Sequence, residues 1–352
     1  NQSILTTKLA ADGAFNTYVD PVYAGNYGFN LFDSVVKDGV TLYNYATVSA
    51  HTVIWANYDG TVLETDTNMI TGMLPEYNGA TPQREGDADH TYIFSGWTPK
   101  VDAVAGDVTY TATYKAVDPG YVQTGIDLIN ETGLYRTQGR PYMTAEGLHL
   151  DFASATIEFE AQLGGMLTMN ISTEKELYFQ LYVDGIADAN RIHVLPGDNQ
   201  TVTLTEYVEP GKHTIRLVRD SDVYRNGETM TITSINFIGV KASVKATEER
   251  PLLIEFVGDS ITSGKYTEMQ HVEGEAIHKA TNSYAYKTVQ LLGADYSMIS
   301  RGGCGYFRVS SCRLPAHKIY PYYNGFADEP VLYTTDRKAD VVVLALGTND
   351  TA

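Results

Sequence analysis

The sequence has only two cysteines in 352 residues, Cys304 and Cys312. That excludes a disulfide framework as the organising device of the fold. The two are either free thiols or one local bridge, and the sequence leaves both open. Positive charge is also scarce: 25 Lys and Arg stand against 43 Asp and Glu, a net charge of −18. Such a chain repels phosphate backbones, which argues against nucleic acid as a partner. It has no basic patch for an anionic membrane either. No apolar run approaches the ~20 residues of a spanning helix, so no membrane-spanning segment is expected. Metal-ligand spacing of Cys and His is missing, as are a phosphate-binding Gly-x-x-x-x-Gly-Lys and a dinucleotide fingerprint in context. Neither a metal nor a cofactor is therefore expected. Asp220 and Asp222 could suggest a Ca²⁺ site or a glycosidase pair, but among 43 acidic residues chance proximity is the better reading.

What remains is a globular composition, 43% hydrophobic and 19% charged, over a length that suits two or three domains. Tyr is abundant, 26 against 2 Trp and 11 Phe. Its apolar face and hydroxyl suit sugar-facing surfaces, and it is equally at home in strands. Asn1 has no Met or signal peptide before it, which reads as a removed leader or a fragment.

Residues 1–117 read as short strands with turn signals. Residues 33–43 (DSVVKDGVTLY) and 102–110 (DAVAGDVTY) form a weak internal repeat, each ending in Tyr and followed by an alternating strand. HTVIWANYDGT (51–61) and TYIFSGWTP (91–99) alternate aromatic and polar residues at strand period. This pattern resembles the internalin-type B repeat, a small β-grasp-like module of bacterial surface proteins. The resemblance implies an extracellular spacer or adhesion role, with 1–46 as a partial repeat and 47–117 as a second module. Pro119 and Gly120 mark a linker.

Residues 118–249 are again all β. Ile157, Phe159, Ala161 and Leu163 alternate with polar neighbours, and 177–183 and 229–238 read as strands. Residues 201–208 and 213–219 read as a pair around Glu209-Pro210-Gly211-Lys212. Many short strands at close spacing predict a β-sandwich or jelly roll. From Pro251 the period changes. LLIEFVG (252–258) and DVVVLALG (340–347) are continuous apolar strands suited to a buried parallel sheet, YSMIS (296–300) is a third, and 281–292 is helix-like with a Thr or Asn cap and Gly293 as stop. The fold class expected is thus multidomain: N-terminal all-β repeat-like modules, a β-sandwich jelly roll, then an α/β domain of parallel sheet flanked by helices over 250–352.

Chemistry concentrates at the ends of the parallel strands, where open α/β sheets bind ligands. Gly258-Asp259-Ser260-Ile261-Thr262 places a Ser on the first turn, Ser300-Arg301-Gly302-Gly303-Cys304-Gly305 offers backbone N–H groups, and Gly347-Thr348-Asn349-Asp350 offers an amide. Each block alone is an ordinary turn; their joint order on successive strands is the signal. Together they resemble the SGNH (GDSL) hydrolases. YVDG (182–185), GKHTIRLVR (211–219), INFIG (235–239) and IEFVGDSIT (254–262) further resemble carbohydrate esterase family two, in which a jelly roll precedes the hydrolase domain. The resemblance covers about residues 121–352, with a departure at Ser263-Gly264-Lys265-Tyr266. It implies Ser260 as nucleophile, with Gly305 (Gly303 as fallback) and Asn349 completing an oxyanion hole. It also implies an acetylated polysaccharide or oligosaccharide as substrate, no cofactor, and a secreted or surface-attached bacterial esterase.

The family's base is a His in an Asp-x-x-His block downstream of the Asn block. None of His51, His90, His149, His193, His213, His271, His278 or His317 stands there. Asp87-Ala88-Asp89-His90 matches by spelling in the N-terminal region and is read as coincidence, and His213 as structural; His271, His278 and His317 lie in the α/β region, near enough to consider but outside the family position. The His is thus expected beyond Ala352, in a chain truncated here, and residues 1–352 alone are expected to show little esterase activity. The rivals are a non-catalytic glycan-binding surface protein with a degenerate hydrolase domain, and an SGNH esterase or lipase acting on another ester.

Overall fold

The computed structural model describes residues 5–9, 15–19, 29–37, 40–47, 50–222, 229–265, 267 and 278–350, the first four segments as backbone strands. Tyr266 and His271 lie outside the described residues. The chain forms two compact units, Asn1–Ala116 and Val117–Ala352. The first contains two antiparallel pairs, Leu5–Leu9 with Phe15–Val19 and Phe29–Lys37 with Val40–Thr47. It also contains a four-stranded sheet of β1 (Ala50–Ala56), β2 (Val62–Ile70), β3 (Thr91–Thr98) and β4 (Val108–Val117), in the order β2-β1-β4-β3. Strands β1 and β4 run parallel. Strand alternation buries Trp55 against Trp97 and Tyr110, each with ring centroids 4.8 Å away.

In the second unit, regions 118–249 and 250–352 pack together. Region 118–249, expected as a sandwich and called so below, forms one 11-stranded sheet that includes β5 (Val122–Asp127), β6 (Thr156–Thr173), β7 (Leu177–Val183), β8 (Gly197–Arg219) and β9 (Met230–Gly239). Its core includes Phe159, Leu163, Met169, Phe179, Leu217 and Phe237. The hairpin expected around Pro210 does not form; β8 is continuous from Gly197 to Arg219 and pairs with β6 throughout. The register slips between Leu163 and Gly165, where Pro210 packs on Gly164. A proline without an N–H is tolerated at such a bulge, so the Pro-Gly pair bends the strand instead of reversing it.

The α/β region is a three-stranded parallel sheet of β10 (Leu253–Gly258), β11 (Asp295–Ser300) and β12 (Val341–Ala345), with β10 in the centre. Helix α1 (Tyr284–Leu292) precedes β11, and the short α2 (Ala316–Ile319) follows it. Ser283, rather than the expected Thr or Asn, caps α1: its hydroxyl accepts the Tyr286 N–H, while Gly293 closes the helix at φ 59°. The left-handed conformation there explains why glycine is the stop.

Two apolar clusters join the sandwich to the sheet. Val218 packs with Ile254, Phe256, Tyr286 and Met298, and Phe152 packs with Val257, Ile299 and Cys304. A charged cluster lies beside them. Glu158 of β6, with its carboxylate fully buried, accepts from Arg136, Arg216 and Arg250. Asp295 of β11 shares Arg136 and Arg250.

His149 is buried in the sandwich, stacked 4.4 Å from the Tyr142 ring. Burial pushes its pKa down to about 4, with Glu146 opposing. The folded state thus binds this proton less readily than the unfolded chain. Stability from this group is present above pH ~6.5 and lost as pH falls toward 4. Thermal melts of His149→Phe, which cannot titrate, should lose less stability than the parent between those pH values.

Candidate active site

The sheet sets the site. Gly258 is paired in register with Ser300 on one side and Ala345 on the other, so three loops leave the same edge side by side. On the first, a Cβ at Gly258 would collide with the Thr262 side chain, which is why the turn begins with glycine. Asp259 is buried, and its Oδ1 accepts the Ile261 N–H at 3.0 Å. The Ser260 carbonyl accepts the Lys265 N–H at 2.9 Å. Ser260 itself is half-buried.

The second loop carries the glycines. Cys304 and Cys312 are disulfide-bonded, closing the loop that the sequence left open between two redox states. The Gly305 N–H donates to the Arg308 carbonyl at 2.9 Å, so this expected oxyanion donor is committed to its own turn. A Cβ on Gly305 would approach the Asp350 carboxylate to 2.7 Å. That carboxylate accepts the N–H groups of Tyr306, Phe307 and Arg308 at 2.7–2.8 Å, which hold its pKa below the usual range. From the third loop, Asn349 Nδ2 donates to the Cys304 carbonyl (3.0 Å) and to Asp259 Oδ2 (3.3 Å). Its Oδ1 accepts from the Ser310 hydroxyl. Asn349 therefore ties the serine loop to the glycine loop, and the structure brings all three sequence blocks together.

The histidines divide. His213 bridges Asp184 and the Glu209 carbonyl at 2.8 and 2.7 Å, a structural part. His193 stacks on Tyr178, and His317 binds the Tyr306 carbonyl. His90 contacts Asp87 within the first unit, where Asp87 also accepts from Tyr92. His278 is brought near Ser260. A Cβ placed on Gly302 would lie 3.6 Å from Ser260 Cβ, 3.9 Å from His278 Nε2 and 3.3 Å from Asp222 Oδ2. Burial lowers the His278 pKa, with Asp222 opposing.

The Asp220 and Asp222 pair, read from sequence as chance neighbours, is buried to 1% exposure or less and placed against this region. Asp220 pairs with Arg191 (2.9 Å), and Asp222 with Arg301 (2.6 Å). What sequence reasoning missed is the pairing of Asp222 with Arg301. Arg219 ends β8, and the three polar residues that follow it, Asp220-Ser221-Asp222, carry no local mark of burial. Among the described residues, no group of three or more His, Cys, Asp or Glu is arranged to hold a metal ion. No described helix is long and apolar enough to cross a membrane.

No protein-family model matches the sequence, and no curated protein matches it. Solved structures do. A family two carbohydrate esterase from Cellvibrio japonicus superposes with a TM-score of 0.56 at 19% identity, over 65% of this chain and 69% of that one. An acetyl xylan esterase, Est2A, from the rumen bacterium Butyrivibrio proteoclasticus gives 0.56 at 24%, over 66% and 65%. A family two carbohydrate esterase from Clostridium thermocellum, in complex with cellohexaose, gives 0.54 at 22%, over 61% and 66%. The chain thus spans about two thirds of the length of each. At these identities the likeness shows a shared fold: a β-rich chain that also carries a small parallel sheet.

Proposed function

We propose that the second unit is the core of a serine esterase that removes acetyl groups from a polysaccharide, secreted or displayed at a bacterial surface. One observation carries this reading. Ser260 sits at the carboxyl end of the central parallel strand, and Asn349 Nδ2 joins its loop to the glycine loop. The solved structures of like fold support the substrate class, being carbohydrate esterases, one of them holding cellohexaose.

In this reading Ser260 Oγ attacks the acetyl carbonyl and passes its proton to a histidine base. The tetrahedral oxyanion takes hydrogen bonds from the Ser260 N–H, the Asn349 amide and a glycine N–H, each worth about 3–4 kcal/mol. The sugar hydroxyl leaves with the proton, and water releases acetate from Ser260. For this the oxyanion takes the Asn349 amide hydrogen now directed at Asp259, the longer of its two bonds. Gly305 must release Arg308 to serve as donor, and Gly303 is the alternative. The internal use of these donors favours the second reading, a glycan-binding surface protein whose hydrolase site is degenerate.

The deciding measurement is acetate release from acetylated xylan by the full-length polypeptide, whatever its extent, with a fluorophosphonate probe to mark the nucleophile. Acetate release with the label mapped to Ser260 is expected. Binding of xylan with neither release nor label would replace the esterase with the binding protein.

A further inference from the structure

We propose that Asp222, delivered by the sandwich, is a positioning residue of the candidate active site: it fixes the Arg301–Gly302 segment against Ser260. This rests on the esterase reading above. The segment Arg219–Asp222 leaves β8 and runs into the α/β region with every residue at 1% exposure or less. Burying four polar side chains costs several kcal/mol unless each is bonded. Arg219 braces the segment from within, donating to the Leu150 and Asp222 carbonyls. Asp220 anchors it ahead of α1, its Oδ1 accepting the Thr281 N–H at 2.7 Å. Those bonds suffice to dock the sandwich. Asp222 reaches further. Its Oδ2 accepts the Gly302 N–H at 3.1 Å and the Arg301 Nη1 at 2.6 Å, and faces His278 Nε2 at 3.3 Å.

The opening above Gly302 is where the side chains of Ser260, Asp222 and His278 converge. A carboxylate there would oppose an oxyanion if it were bare, but Arg301 neutralises it. Removing the carboxylate leaves the half-buried Arg301 guanidinium without this partner and the Gly302 N–H without its acceptor, so the glycine loop must move. Displacement of a reacting group by about 1 Å can cost on the order of 100-fold in rate.

The test compares Asp222→Asn and Asp222→Ala with Tyr296→Phe. Tyr296 makes a similar buried bond from sheet to sandwich, to the Thr156 hydroxyl and Ser154 carbonyl, but at the opposite end of β11. On 4-nitrophenyl acetate, kcat of the Asp222 variants should fall roughly 10- to 100-fold with KM little changed, and that of Tyr296→Phe should hold. Amide NMR gives a second reading. In Asp222→Ala the Gly302 N–H signal should move upfield, as a donor that has lost a charged acceptor. The His278 ring should titrate at lower pH, because among the described residues around it Asp222 opposes Arg301, Lys265 and Arg191. Unchanged kcat in both Asp222 variants, with a loss of melting temperature matching Tyr296→Phe, would overturn the proposal. If the parent protein hydrolyses nothing, the esterase reading falls by itself. The NMR then decides, and an unmoved Gly302 signal sinks the role given to Asp222.

Discussion

Ser260→Ala should abolish release of acetate, lowering kcat by about 10³-fold or more while leaving the melting temperature close to that of the parent. The size follows from the mechanism. Without Oγ no acetyl-enzyme forms, and what is left is oxyanion stabilisation of direct attack by water. The stability expectation follows from the surroundings: the structural bonds of this residue run through its backbone carbonyl, which accepts the Lys265 N–H and the Ser263 hydroxyl. The serine is also half-exposed, so losing one oxygen opens no sizeable cavity. Steady-state rates on 4-nitrophenyl acetate, with the melting curve alongside, check both parts. Retained activity in a folded Ser260→Ala protein would remove Ser260 from the chemistry.

Glu158→Gln should be strongly destabilising. Three guanidinium groups converge on this buried carboxylate. Burial alone would raise its pKa, but Arg250, Arg216 and Arg136 outweigh that and hold it down to about 2. An amide of the same size keeps the packing but removes the negative charge, leaving three cations to share the single carboxylate of Asp295, which pairs with only Arg136 and Arg250 of them. Breaking a buried ion pair from one side costs about 3–5 kcal/mol, which for a unit of this size lowers the melting temperature by roughly 10 °C. The sign with pH is fixed. A carboxylate with a depressed pKa stabilises above the unfolded value near 4.3 and loses that contribution as pH falls toward 2. The gap between parent and variant should therefore be full at pH 7 and close on acidification, as calorimetry across that range would show.

Much of this organisation was legible because period and position carry it. Continuous apolar runs at 252–258 and 340–347 mark strands buried on a parallel sheet, and β10 and β12 fall within them. The Ser, Gly and Asn blocks are legible because glycine and short polar residues cluster where strands end. The Pro210-Gly211 turn misleads because the same residues serve a hairpin and a bulge; only the partner strand, with Gly164 opposite, decides. Gly305 misleads differently. Its place in the block says nothing of where its N–H points, and Arg308, three residues on, has taken it. The pairing of Asp222 with Arg301 was invisible because the two are nearly 80 residues apart, one read as a chance acidic neighbour and the other within a glycine-rich block. Their meeting is a product of tertiary packing, which no local pattern encodes.

The meeting of those two residues has a consequence for how such a protein can change over time. A crossover between β9 and β10 looks harmless, since it separates a sandwich from a sheet. It would nonetheless inherit Asp222 from one parent and Arg301 from the other, along with Glu158 and its partner Asp295 cluster from opposite sides. A chimera keeps both arrangements only if the parents agree at each position. The two halves are thus bound to evolve as one heritable unit, and grafting a foreign sandwich onto this sheet requires Asp222 to travel with it.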